Sequence, residues 1–189
     1  MPPKAQTYLI ALGGNMPSAL GGPETTLREA LKRLPRPGLT LEAVSRFFQT
    51  PCFPAGAGPD YVNAAARLRC DLTPQALLQV LHRIEADFGR ERVQRWGMRC
   101  LDLDLLAAAD AVLPDRQTYD HWHGLGAEAQ RREAPAELIL PHPRLSERAF
   151  VLVPLADIAP DWVHPVSHLS VQEMLAALPA AEKDSVLPF

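Results

Sequence analysis

With 189 residues, of which 47% are hydrophobic and 22% charged, the chain has the composition of an ordinary globular domain, which excludes disordered, collagen-like and coiled-coil classes. Its 19 basic and 22 acidic residues leave a net charge of −3, so no bulk positive field exists to hold a nucleic acid and any anion must be gripped locally. Only three of those 19 cations are lysines (Lys4, Lys32 and Lys183), so from residue 33 to 182 every permanent cation is a planar guanidinium fork. Cys52, Cys70 and Cys100 form no C-x-x-C pair, and the opening MPPKAQTYLIALGGN is too short in apolar residues for a signal or a membrane span. A single cytoplasmic domain over 1–189 is the expectation, at roughly 150 residues per domain.

In chain order, TYLIAL (7–12) reads as a buried strand that Gly13 and Gly14 end. After Pro23, Leu27, Ala30, Leu31 and Leu34 fall at helical spacing, and Pro35 and Pro37 close the pattern. Residues 39–48 and 60–70 read as two strands around the loop PCFPAGAGP. A second helix follows, with Thr73 as its cap, Pro74 at its first position, Leu77, Leu81, Ile84 and Phe88 as its stripe, and Gly89 at its end. CLDLDLL then alternates as a strand. The order βαββαβ predicts an α+β, ferredoxin-like core, an antiparallel sheet with its helices on one face. A polar excursion near 114–137 with room for a short helix, a strand at ELIL, and C-terminal helices at FVLVPLADIAP and SVQEMLAAL complete the expectation; Ser170 and Glu173 have capping-box spacing.

Asp102 and Asp104 stand two apart on their strand, so both carboxylates take one face, with Cα atoms about 6.5 to 7 Å apart, while Leu101, Leu103 and Leu105 take the other. Same-face carboxylates repel and call for cations. Hard oxygen ligands on a strand suit Mg²⁺ shared with substrate phosphates; a solvated pair of ordinary acids is the alternative. The preceding GRERVQRWGMR tips the balance toward a phosphate and metal site, because Arg90, Arg92, Arg95 and Arg99, with Trp96 among them, offer forks that match phosphate oxygens. Glu85 lies roughly 80° from the centre of its helix's apolar stripe, where it either skirts the core or joins the site. Tyr61 and Asn63 share one strand face, either as recognition groups or with Asn63 satisfying neighbouring backbone. His121 and His123 have H-x-H spacing but no obvious third ligand, which favours a structural pair over zinc.

Taken together, LIALGGN, SRFFQTPCF, PDYVNAAARL, LLQVLHRIEADFGRER, RWGMRCLDLDLL and LPHPRLSERAFVLVPLADIAPD make the chain resemble the 6-hydroxymethyl-7,8-dihydropterin pyrophosphokinase family over most of residues 8–162. The resemblance implies transfer of the β,γ-pyrophosphoryl group of ATP to the hydroxymethyl group of the reduced pterin in folate biosynthesis, with AMP leaving and two Mg²⁺ ions assisting. It implies metal ligation by Asp102 and Asp104, ATP contacts from Glu85, Arg90, Arg92, Trp96, Arg99, His142 and Arg148, and a pterin pocket of Thr50, Pro51, Phe53, Tyr61, Asn63 and Phe150. Arg90 and Arg99 would act with the two aspartates in catalysis, and no side chain stands out as a general base. Gly14, Met98, Cys100 and Ser146 depart from the family's usual residues, and none of these changes removes a charged group. The rival classes are a binding-only relative, which would lack a charged catalytic group, and an RNA-binding module, which would expose interleaved aromatics where this chain has AAARLRC.

Overall fold

The computed structural model describes residues 4–52, 56, 58–89 and 99–189. Among the described residues six strands form one antiparallel sheet: β1 (Gln6–Gly14), β2 (Leu39–Val44), β3 (Phe48–Thr50), β4 (Tyr61–Cys70), β5 (Asp102–Ala108) and β6 (Leu187–Pro188), in the order β5-β1-β4-β3-β6, with β2 also paired to β4. The ferredoxin-like path is therefore present, with β2 and β3 sharing the place of its second strand. Alternation decides what each face carries: Tyr8, Ile10 and Leu12 of β1, Val62, Ala64, Ala66 and Leu68 of β4, and Leu103 and Leu105 of β5 are all buried on one side. Two helices cover them, α1 (Pro23–Lys32) with Leu27 and Leu31, and α2 (Pro74–Asp87) with Leu77, Leu81 and Ile84. Each fully buried leucine contributes about 1.5 to 3 kcal/mol. The Thr73 hydroxyl accepts the Ala76 N–H at 3.2 Å, and Gly89 at φ +81° follows α2, the left-handed conformation that glycine accepts at a helix end.

The second face is also covered, which corrects the one-faced expectation. The chain continues through α3 (Arg116–Gly124), α4 (Ala127–Arg132), a 3₁₀ turn (Leu145–Glu147), α5 (Ala149–Ile158), α6 (Val171–Ala177) and α7 (Ala180–Asp184). Leu9, Ala65, Leu106 and Ala107 bury against Val151, Leu152 and Leu155 of α5 and Val171 and Met174 of α6. The expected capping box closes the start of α6: Glu173 N–H donates to the Ser170 hydroxyl, and Ser170 N–H donates to the Glu173 carboxylate. β5 serves both cores by alternation, and a register shift between β1 and β5 adds to it: Leu9 faces Ala107 and Ile10 faces Leu105, leaving Leu106 as the extra residue of a bulge, on the second core.

Three local expectations differ from the structure. The strand expected over 39–48 is divided because the Ser45 hydroxyl accepts the Ala65 N–H at 2.8 Å, where a regular ladder would place a carbonyl. Arg46 then turns to α5, its N–H donating to Asp157 Oδ2 at 3.1 Å and its guanidinium gripping both carboxylate oxygens at 2.9 and 2.8 Å. ELIL makes no strand; only Leu140 pairs, in a single bridge to Leu113. The excursion holds two helices, not one. Tyr119 of α3 is buried against His164, its hydroxyl 3.2 Å from Nε2, and the Trp162 indole N–H donates to the Ala109 carbonyl at 3.0 Å, so the excursion is tied to the C-terminal segment through an aromatic and imidazole cluster.

His164 Nδ1 accepts the N–H groups of Val166 and Ser167 at 3.2 Å each, so the ring is neutral and its proton sits on Nε2, donated to Tyr119. Burial first, then His123 and Arg116, push its pKa down to about 4. Between that value and the ordinary value near 6.5 the unfolded chain binds the proton that the folded chain refuses, so stability falls as pH drops through this window, by about 1.4 kcal/mol per unit of displacement. The melting temperature of His164→Asn, followed from pH 7 to pH 4, should fall less than that of the unsubstituted chain; parallel curves would remove His164 as the source.

Candidate active site

β1 ends in two glycines because two close approaches demand them. A Cβ on Gly14 would lie 2.4 Å from the Cys100 carbonyl oxygen, and one on Gly13 would lie 2.9 Å from Asn63 Oδ1. Gly13 pairs with Asn63 of β4 on one side and with Asp102 of β5 on the other. A strand position without a side chain thus separates Asn63 from Asp102 by two inter-strand steps, about 9.5 Å. One row across the sheet reads Phe48, Asn63, Gly13, Asp102, and the next reads Ala65, Ala11, Asp104.

On the acidic side, Asp102 and Asp104 are half-buried on the face opposite Leu103 and Leu105, as alternation requires. Arg99 donates from Nη1 to Asp102 Oδ2 at 2.7 Å. Asn15 fixes the backbone that carries this arginine: its Oδ1 accepts the Arg99 N–H at 3.0 Å, while its own N–H donates to the Arg99 carbonyl at 2.9 Å. Burial holds the Arg148 pKa below its usual value, while Asp104 and Asp102 pull the other way by favouring the cation. Burial, with Arg148 beside it, pushes His142 down to about 3, so its imidazole is neutral. The His142 N–H donates to the carbonyl of the bulge residue Leu106 at 2.8 Å, which ties His142 to the acidic strand. Arg144 pairs with Glu147 at 2.6 Å and adds positive charge beside His142 and Arg148.

Glu85, only 1% exposed, lies beneath the acids and accepts the Leu103 N–H at 2.7 Å. It therefore grips the strand between the two aspartates and also lines a cavity of about 500 Å³ with His82, Asp102, Asp104, Glu137 and His142. Across Gly13, Asn63 is 5% exposed and its Nδ2 donates to the Thr50 hydroxyl at 2.7 Å. Tyr61, next to this pair, feels the charges of Arg99 and Asp102, and burial raises its hydroxyl pKa. Pro51 is exposed beside Thr50, and Phe150, 41% exposed in the first turn of α5, carries the Arg148 guanidinium 5.6 Å from its ring centroid. Phe53, Arg90, Arg92 and Trp96 lie outside the described residues.

Asp102, Asp104, Glu85, Arg99, His142 and Arg148 come together, with Asn63, Thr50 and Tyr61 beyond the glycine. Sequence reasoning left out Asn15, Arg144 and the cavity-lining His82. Asn15, directly after the glycine pair, was the only one with a readable signal. The donor set suits Mg²⁺: two hard carboxylates on one strand face leave coordination positions for substrate oxygens and water. Among the described residues no group of three His, Cys, Asp or Glu side chains could hold a metal by protein ligands alone.

Residues 9–160 match the sequence model of the family described as 7,8-dihydro-6-hydroxymethylpterin-pyrophosphokinase (HPPK). The chain belongs to this family. It is 37% identical over 176 residues to the 2-amino-4-hydroxy-6-hydroxymethyldihydropteridine pyrophosphokinase of Pseudomonas aeruginosa, covering 92% of this chain and 93% of the relative. To the protein of the same name from Synechocystis sp. it is 34% identical over 174 residues, covering 92% of this chain and 77% of the relative. The fold matches the solved wild-type HPPK-DHPS of Plasmodium falciparum with SDX-DHP at a TM-score of 0.64 and 13% identity. That match takes in 92% of this chain but only 44% of the Plasmodium chain.

The Glu85 bond to Leu103 predicts a stability cost. Glu85→Ala leaves a buried N–H without this acceptor and should lower unfolding free energy by about 1 to 3 kcal/mol, while Glu85→Gln, which keeps an acceptor oxygen, should lose much less. Urea denaturation of both variants checks the contrast.

Proposed function

We propose that the chain is an ATP-dependent pyrophosphokinase that transfers the β,γ-pyrophosphoryl group of ATP to the hydroxymethyl group of 6-hydroxymethyl-7,8-dihydropterin and releases AMP, a step of folate biosynthesis. The observation that carries the reading is the arrangement around Gly13: a carboxylate pair ringed by Arg99, Arg148 and His142 on one side, and a buried amide and hydroxyl, Asn63 and Thr50, on the other. Family membership supplies the reaction class. Asp102 and Asp104 would hold Mg²⁺, two ions by family resemblance. When bound with ATP, the metal would supply charge neutralisation at the phosphate oxygens.

Transfer at phosphorus asks a protein mainly for alignment and for charge placed where the reaction develops it. The guanidinium of Arg148, which feels the charges of both acids, would grip the transferred group. Arg99, held by Asn15, would exchange its contact with Asp102 for a phosphate oxygen. His142, neutral and accepting the Arg144 N–H at Nδ1, carries its proton on Nε2 and would donate it as a hydrogen bond to a phosphate oxygen. The pterin's polar edge would meet Asn63 and Thr50, with Tyr61 and Phe150 on its ring faces and Pro51 at the rim; Phe53 joins the pocket by family resemblance alone. Arg90, Arg92 and Trp96 would complete the nucleotide contacts, with Glu85 holding the acidic strand. Three free thiols, Cys52, Cys70 and Cys100, suit the reducing cytoplasm we propose as its setting. Among the described residues no helix is long and apolar enough to cross a membrane.

AMP release from ATP with and without the hydroxymethyl pterin is the direct test; release that ignores the pterin would sink the reading. Asp102→Ala and Asp104→Ala should each fold yet lose at least about a thousandfold in turnover at saturating Mg²⁺, because charge placement supplies most of the barrier lowering. Steady-state kinetics with circular dichroism as the folding control measure both.

Recognition of the pterin makes a separate prediction. An unmet polar edge costs about 1 to 3 kcal/mol, whereas aromatic stacking adds about 0.5 to 1.5 kcal/mol beyond area burial. Asn63→Ala should therefore weaken pterin binding more than Phe150→Leu, with nucleotide affinity nearly unchanged in both. Calorimetric titration of pterin in the presence of a nonhydrolysable ATP analogue reads this ranking.

A further inference from the structure

His123, in the excursion helix α3, is none of the residues proposed to touch the substrates. Its Nδ1 is 2.8 Å from the Pro143 carbonyl oxygen, and because a carbonyl can only accept, Nδ1 carries the proton. The ring stacks on Tyr119, one helical turn earlier, at 5.6 Å between centroids and 12° between planes. Tyr119 is in turn buried and joined to His164, so the imidazole is held in place from below.

The Pro143 carbonyl and the Arg144 N–H are the two ends of one planar peptide unit. The N–H end donates to His142 Nδ1 at 3.1 Å. Fixing the carbonyl end therefore fixes the direction of the N–H, and an N–H pointed at Nδ1 selects the His142 tautomer that has its proton on Nε2. Turning the peptide over would aim a carbonyl oxygen at Nδ1, which would then need the proton, and Nε2 would lose it. The His142 backbone is separately fastened at both ends, its N–H to the Leu106 carbonyl at 2.8 Å and its carbonyl to the Leu145 N–H at 2.9 Å; that second bond closes a turn whose central peptide is Pro143–Arg144, so the remaining freedom lies in the direction of this peptide and in the ring.

We propose that His123 is a positioning residue for the nucleotide: by holding the Pro143–Arg144 peptide it sets the orientation and tautomer of His142, so that Nε2–H is presented as a donor to the phosphates of ATP. This gives part of the 114–137 excursion a role in the reaction, and it rests on the reading that His142 faces the triphosphate.

The test uses His123→Phe, which keeps a ring on Tyr119 and removes the N–H, and His123→Asn, whose amide can place a donor near the Nδ1 position. Long-range ¹H–¹⁵N spectra of the histidine rings should show the Nε2–H tautomer of His142 in the unsubstituted protein, a mixture in His123→Phe, and recovery in His123→Asn. The KM for ATP, and the Kd for α,β-methylene-ATP by calorimetry, should rise about five- to tenfold in His123→Phe and return toward normal in His123→Asn, with the KM for pterin unchanged. An unaltered His142 signature in His123→Phe would overturn the relay, as would equal losses of ATP and pterin affinity. The spectroscopic arm needs no turnover, so an unsubstituted protein that fails to transfer pyrophosphate would overturn the functional reading while leaving the relay to be judged on its own signal.

Discussion

Two carboxylates at alternate positions of one strand are held on the same face, and changing rotamer moves their charges apart only slightly. The surroundings have to relieve the repulsion. In this fold Arg99 pairs directly with Asp102, Arg148 bears on both acids, and Glu85 avoids adding to the conflict by directing an oxygen at the Leu103 N–H. Each of those groups needs its own support. Asn15 holds Arg99, α2 carries Glu85, and α5 begins immediately after Arg148. The C-terminal helices that cover the second face are thus part of how the acids are tolerated, as well as part of the core.

The separation of the Asn63–Thr50 pair from the acids follows from a residue that contributes no side chain. With any larger residue at Gly13, the amide of Asn63 and the carboxylate of Asp102 would be screened from each other; with glycine, they overlook a common stretch of backbone.

Local signals were legible in the sequence and distant ones were not. The βαββαβ order, apart from the division of 39–48, the Thr73 cap, Gly89 and the Ser170–Glu173 box depend on neighbours within a few residues, and they appear as expected. The splitting of 39–48 depends on Ser45 meeting Ala65, and the bulge at Leu106 depends on how β1 pairs with β5; neither partner is marked in the local pattern. ELIL has strand composition, yet only Leu140 pairs, in its bridge to Leu113. For the site, Asp102, Asp104 and Arg99 could be picked from spacing alone. His142 and Arg148 came only with the family resemblance, because they lie about forty residues downstream and nothing in PHPRLSERAF shows that the chain has returned to the acids. Arg144 and His123 act through backbone and side-chain neighbours whose positions depend on that return.

The bulge at Leu106 separates what the fold requires from what the site requires. Upstream of it Leu103 and Leu105 face the first core, and downstream Ala107 faces the second and Ala108 the first. Excising Leu106 would leave all four on their present sides and restore an unbroken ladder, so as a matter of chain length the strand has one residue more than the sheet needs. That surplus residue supplies the carbonyl to which His142 is bound. A chain shortened by one residue here would keep a sheet of the same alternation and lose the carbonyl that holds His142 against the acidic strand, so at residue 106 it is the length of the strand, more than the identity of the side chain, that the site uses.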